Sequence, residues 1–294
     1  MPSTKRTFSG FLLFCSLLVL AACNAGPPAR TLRLATTTST YDSGLLDAIL
    51  PDFEARYGVE VEVIAVGTGQ ALALGEQGDV DVVLVHAPAK EEAFVEAGHG
   101  SARFPIMYND FVIVGPQDDP AGVRAAPNAA AALAQIAQTQ SPFASRGDQS
   151  GTHSRELELW AQASLTPPAS EDWYYSLGQG MGATLNFANE KLAYTLADRG
   201  TFLALQSNLP DLAILFGGQS PADNPDPALR NFYSLIPVNP EKNSSIQADL
   251  AMTFVEWFTS IPTQEKIAVY GLERFGQQLF FPDSDLWRRE NEGK

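Results

Sequence analysis

Between Leu32 and Ala97 the chain repeats one pattern three times: a short apolar strand, a turn of small or hydroxyl-bearing residues, and a helix start. Leu32-Arg33-Leu34-Ala35 alternates as a strand does and runs into Thr36-Thr37-Thr38-Ser39-Thr40. Leu45, Leu46, Ile49, Leu50, Phe53 and Tyr57 then recur at helical spacing, and Gly58 closes that helix. Pro51 is expected to bend or interrupt it. Val59 to Val66 is a second strand, followed by Gly67-Thr68-Gly69-Gln70 and a short helix through Leu74. Asp81 to Val85 is a third, ending at His86-Ala87-Pro88, with a polar-faced helix from Lys90 to Ala97. Strands alternating with helices call for an α/β fold with a parallel sheet. Ligands of such sheets gather beyond the carboxyl ends of the strands, where all three turns fall.

Asp110 to Pro116 reads as a strand followed by a break, a candidate crossing into a second lobe. Beyond an alanine-rich helix from Asn128 to Thr139 lies Ser145-Arg146-Gly147-Asp148-Gln149-Ser150-Gly151-Thr152, which opens a further helix. Glycines let backbone N–H groups approach a ligand, and a helix start offers unpaired N–H groups and partial positive charge. With a guanidinium added, the segment suits an oxyanion. It also reads as an exposed turn capped by Ser150 or Thr152, with Arg146 paired to Asp148. His153 is expected as an exposed or capping residue. Trp173-Tyr174-Tyr175 should pack into a second core. Gly178 to Thr184 superficially resembles a dinucleotide loop before a helix expected from Leu185 to Asp198, but lacks the strand-and-acid context such a loop needs. Leu212 to Phe216 is a strand, and Phe232 to Val238 is the expected return crossing. Helices from Ile246 to Phe258 and from Thr263 to Tyr270 should pack on the first lobe.

The formal charge of −15 argues against nucleic acid or an anionic membrane surface as partner. It does not exclude an anion ligand, because a Debye length of about 8 Å screens distant carboxylates. Lys5 and Arg6 precede a short apolar run, Phe11 to Ala22, that reads as a signal peptide. It ends in Leu20-Ala21-Ala22-Cys23, similar to the lipobox of bacterial lipoproteins, in which Cys23 would carry the lipid. Cys15 lies within the leader, so the mature chain would hold no disulfide and no thiolate site.

Taken together, Thr36–Thr40 with Asp42-Ser43-Gly44-Leu45-Leu46, Asp81–Pro88, and Ser145–His153 resemble the tungstate-binding receptors of ABC importers. These belong to the type II periplasmic binding proteins. The similarity spans nearly all of residues 31–285. It implies two α/β lobes joined by two crossing strands that close over one oxyanion. Thr38, Ser39, Thr40 and Thr68 would hold the anion from one lobe, and Arg146, Ser150, Gly151 and Thr152 from the other. Asp148 would orient Arg146, and His86 would support the site by hydrogen bonding rather than by direct ligation. Phosphate receptors share an Arg-x-Asp-x-Ser-Gly-Thr segment, but their analogous strand ends in an aspartate that accepts the anion's proton. His86 stands there instead, which favours tungstate or molybdate.

The implied organisation is a leader over 1–22, a lipid-anchored tether over 23–30, a first lobe from 31–113 and 237–285, a second lobe over 114–236, and a peripheral tail over 286–294. A monomer without cofactor is expected, lipid-anchored in the periplasm or at the cell surface and partnered by a permease and an ATPase. Receptors for molybdate, phosphate or sulfate are the alternatives within the class. A hydrolase using Ser150 is disfavoured, because Gly147-Asp148-Gln149-Ser150-Gly151 lacks the spacing of a nucleophile elbow.

Overall fold

The computed structural model describes residues 30–167 and 171–291. The leader, Cys23 and most of the tether therefore lie outside the described residues. Strands β1 (Arg30–Thr37), β2 (Val59–Val66) and β3 (Val82–Val85) are parallel, with β1 in the middle. Thr37 is level with Val66, and Thr36 with Leu84, so all three strands deliver their turns to one edge. The alternation of β1 and β3 sends side chains to opposite faces. Leu32, Leu34, Val82 and Leu84 join a core with Phe53, Phe254 and Phe258, while Ala35, Val83 and Val85 meet Ala71 and Phe94 behind the sheet.

Two further strands carry the chain across. β4 (Phe104–Pro116) runs antiparallel to the late strand Arg230–Pro237 through Asp110, then changes partners. From Phe111 onward it pairs with Thr195–Asp198 and with Leu212–Phe216. This second half is buried on both faces. Phe111 and Ile113 pack with Leu133, Phe143 and Trp160; Val112 and Val114 pack with Met181, Leu185 and Phe202. Two lobes with separate cores thus share a continuous strand, and Arg230–Pro237 leads back into the first-lobe sheet beside β3. Trp173 and Tyr174 pack at the second core as expected.

Two sequence expectations are corrected. The helix Leu45–Tyr57 is unbroken by Pro51. Pro51 and Asp47, whose carbonyl loses its partner to the proline, are both exposed, on the side of the helix that solvent reaches. The helix expected through Asp198 ends at Lys191: Leu192 turns left-handed at φ 51°, and the Ala193 N–H closes on the Ala188 carbonyl at 2.8 Å. Thr195–Asp198 is a buried strand instead. The end of the chain carries a short helix, Asp285–Asn291, started by Ser284, which bonds the Thr259 carbonyl and the Gln264 side chain.

Where β4 changes partners, one buried ion pair holds the junction. Arg199 donates Nε to Asp110 Oδ1 at 2.8 Å and Nη2 to Asp110 Oδ2 at 2.7 Å. It also bonds the carbonyls of Gly217 and Gly218, and both members of the pair are 1 % exposed. Asn224 gives Asp110 a further hydrogen bond. Removing one partner strands a buried charge, which costs roughly 3–5 kcal/mol. Asp110→Ala should therefore lower the urea unfolding midpoint by a corresponding amount, with the denaturant slope unchanged.

Candidate anion site

The five consecutive hydroxyls do not form a loop. Thr36 and Thr37 finish β1, and Thr38–Asp42 make a short helix capped by Thr37. Thr37, absent from the expected ligand set, is the hub of the cluster. Its Oγ1 accepts from the Thr40 N–H at 3.2 Å and lies 2.6 Å from Thr40 Oγ1, 3.2 Å from Ser39 Oγ and 3.1 Å from His86 Nε2. Ser39, Thr40 and Thr68 are buried, and Thr38 is half-buried at the start of the helix.

The state of His86 follows from its neighbours. Asn231 spends its amide N–H groups on Asn109 Oδ1 at 2.8 Å and on the Tyr233 oxygen at 3.0 Å, so its carbonyl oxygen faces His86 Nδ1 at 2.9 Å. A carbonyl only accepts, hence Nδ1 carries the proton and Nε2 accepts from Thr37 or Ser39. Burial pushes the imidazole pKa down to about 4, with Arg146 acting in the same direction and the Asn231 bond opposing. The ring is neutral at physiological pH and stacks on Tyr233 at 4.7 Å. With its N–H spent on Asn231, His86 offers an anion no donor; at Nε2 it accepts the proton of Thr37 or Ser39 and so orients that hydroxyl.

From the second lobe, the strand Phe143–Ser145 ends directly at Arg146, and Ser150 caps the helix Gly151–Gln162. Arg146 is 3 % exposed. Its Nη2 bonds Asp148 Oδ2 at 2.5 Å, Nη1 makes a long 3.4 Å contact to Thr152 Oγ1, and Nε has no partner among the described residues. Burial raises the Asp148 pKa, but Arg146 and the bonds from Ser150 outweigh it and hold the carboxyl below its usual value. Ser150 Oγ accepts the His153 N–H at 3.2 Å, while His153 Nδ1 accepts the Gln149 N–H at 3.0 Å. The cap thus engages the backbone of His153 and not its ring. Among the described residues no group of three or more His, Cys, Asp or Glu side chains is placed to hold a metal cation.

The two lobes meet at these elements. The Gly151 N–H donates across the cleft to Thr68 Oγ1 at 3.1 Å, leaving the Thr68 proton for another acceptor. Lys90 Nζ reaches the Gln149 carbonyl at 2.7 Å. Gly151 is required by this approach: a Cβ there would lie 2.8 Å from His86 Cε1 and Nδ1 and 3.1 Å from the His86 carbonyl. A notch of about 160 Å³, lined by His86, Pro88, Lys90, Phe111, Gly151 and Arg155 among others, opens beside this seam; none of the clustered hydroxyls lines it.

One acidic neighbour also escaped the sequence reading. Asp198, 1 % exposed, caps the helix Arg199–Leu205 through Oδ1, and its charge acts on Arg146 and Tyr233. The absence of an acid at position 86 therefore does not leave the cleft without a carboxyl. Asp198-Arg199-Gly200-Thr201, an Asp three residues before a Thr, was the available cap signal.

Comparison with known proteins shows the family. The PBP superfamily domain matches residues 24–261. The tungstate-binding protein TupA of Peptoclostridium acidaminophilum is 48% identical over 253 residues, covering 85% of each chain. The structure of a tungstate-binding protein, TupA, from Desulfovibrio alaskensis G20 superposes with a TM-score of 0.74 at 48% identity, covering 87% of this chain and all of that one. The tungstate ABC transporter structure from Geobacter sulfurreducens gives a TM-score of 0.74 at 49% identity, covering 82% of this chain and 98% of that one. By that identity and coverage, and with two lobes that share a crossing strand, the chain belongs to the PBP superfamily and, within it, to the TupA family of solute-binding proteins.

Proposed function

We propose that the protein is an extracytoplasmic receptor that clamps tungstate between its lobes and delivers it to an ABC importer. The observation that carries this reading is Arg146, a buried guanidinium with an unpartnered Nε, set at a seam where Thr68 and the Thr37–Thr40 hydroxyls arrive from the other lobe. Taking a dianion out of water is tolerable only when its oxygens are met by donors, charge-assisted ones foremost. Thr38, Ser39, Thr40 and Thr68 supply neutral O–H donors, and Arg146, Ser150, Gly151 and Thr152 line the facing side. Each lobe holds part of this set, so capture and closure are one event.

Tungstate as ligand is supported by the names of relatives at this identity. His86 supports it as well: a neutral ring committed at both nitrogens adds no charge to repel a bare dianion. Molybdate has nearly the same size and charge and belongs to the same proposal. A permease and an ATPase complete the importer. Cys23 would hold the receptor, a monomer, to the membrane by its lipid. Ser150 serves as a helix cap in this reading, and the protein binds without turning over its ligand.

Isothermal titration should give tight tungstate binding, with molybdate competing and sulfate and phosphate much weaker; preference for phosphate or sulfate would overturn the assignment. Arg146→Ala should weaken binding by at least about 3 kcal/mol, roughly 100-fold, with circular dichroism unchanged. Gly151→Ala tests closure separately. Alanine favours a helix over glycine by about 1 kcal/mol, so the fold is retained. The methyl against His86 should nevertheless raise the tungstate Kd tenfold or more, and unchanged affinity would show that closure does not require this approach.

A further inference from the structure

We propose that Asp198 is a proton-carrying member of the anion site: it takes up one proton when the dianion binds and donates that O–H to an anion oxygen. The inference rests on the receptor reading above and adds a residue and a proton to it.

Thr195–Asp198 lies beside Phe143–Ser145, joined by a parallel bridge between Phe143 and Tyr194 and by the Ala144 N–H to the Tyr194 carbonyl at 2.8 Å. Arg146 and Asp198 therefore leave the same carboxyl edge of neighbouring parallel segments, the edge at which α/β sheets bind ligands. The opposite lobe is close. A Cβ on Gly200 would sit 3.7 Å from Asp198 Oδ1 and 3.9 Å from the Ser43 Cβ, at the end of the hydroxyl-bearing helix.

Asp198 Oδ1 accepts both the N–H of Thr201 at 2.9 Å and its hydroxyl at 2.7 Å, which completes the cap. Oδ2 has no partner among the described residues, although the side chain is buried. Capping needs one oxygen, so the second is unexplained by the fold.

Charge decides the protonation state. Arg146 is already paired with Asp148, and Asp42 lies within its electrostatic reach. Arg199, next in the chain, is spent on Asp110 and two carbonyls. His86 is neutral, and the phenol of Tyr233 is held well above its usual pKa by burial and by Asp198 itself. Beneath the Ser150 cap, burial pushes Glu156 up to about 7 against hydrogen bonds that include those from Tyr174 and Trp160. Among the described residues Arg146 is the cation that acts on Asp198, and it is shared with Asp148 and would be shared with the dianion. Burial already raises its pKa against the Thr201 bonds and Arg146, and a bound dianion raises it further. The proton comes from solvent, forms a neutral acid at Oδ2, and converts an unpartnered acceptor into a donor.

The sign follows from linkage: a group that gains a proton on binding makes affinity fall as pH rises above its anion-free pKa. Calorimetry of the purified full chain with tungstate, in buffers of differing ionisation heat from about pH 6 to about pH 9, counts the protons directly. The expected result is net uptake rising toward one proton per anion on the alkaline side, with Kd climbing up to tenfold per pH unit. Asp198→Asn keeps an oxygen for Thr201 and places a permanent N–H where the acid proton would be; it should take up no proton and show a flat profile. Should that variant fail to fold, Glu156→Gln decides: uptake and slope retained in it support Asp198, and their loss overturns the proposal. Tungstate binding without uptake at any pH overturns the proposal, as does a slope that persists in Asp198→Asn and disappears in Glu156→Gln. Absence of tungstate binding altogether would overturn the receptor reading instead.

Discussion

A guanidinium that is 3 % exposed, with one nitrogen paired to a carboxylate and another unpartnered, is the constraint around which the rest is arranged. Burying a charge is costly unless its donors are met, so Arg146 needs a second acceptor beyond Asp148. The Phe143–Ser145 strand sets the arginine at the sheet edge, and the helix start at Ser150 keeps Gly151 and Thr152 beside it. In the proposed reading, a tetrahedral dianion is the acceptor that also satisfies the alcohols opposite.

Those alcohols are ordered by a chain of hydrogen bonds running back into the first-lobe core. Asn109 and Tyr233 fix the amide of Asn231, Asn231 fixes the His86 tautomer, and His86 Nε2 accepts from Thr37 or Ser39. The direction of each donation follows from a group that can only donate or only accept. In the proposed reading, such preorganisation fixes where the hydroxyls of the first lobe sit before an anion arrives. The same imidazole receives the bare backbone of Gly151, so one residue sets both hydroxyl polarity and the distance between lobes.

Much of this was legible in the sequence. Local chemistry marked the three strand–turn–helix repeats, because hydroxyls and glycines between apolar strands have few other uses. The segment Ser145–Thr152 announced itself by combining Arg with a cap and two glycines. The missing parts depended on contacts distant in the chain. Nothing local marks Asn231 or Tyr233 as partners of His86, which lies 145 residues from Asn231. Asp198 was hidden for another reason: Ala193 to Ala197 is buried on both faces, and such a run lacks the alternation that separates a strand from a buried helix. Pro51 misled in the opposite direction, since a proline on an exposed helix face disturbs little.

The central claim is that one tetrahedral anion sits between the lobes, bridging Arg146 to the Thr37–Thr40 and Thr68 hydroxyls. Tungsten's strong X-ray absorption makes a crystal of the tungstate complex the most direct test. The account predicts one anomalous peak in the cleft, within hydrogen-bonding reach of Arg146 Nε on one side and of the hydroxyl cluster on the other. A peak elsewhere on the molecule, with the cleft free of tungsten, would contradict it.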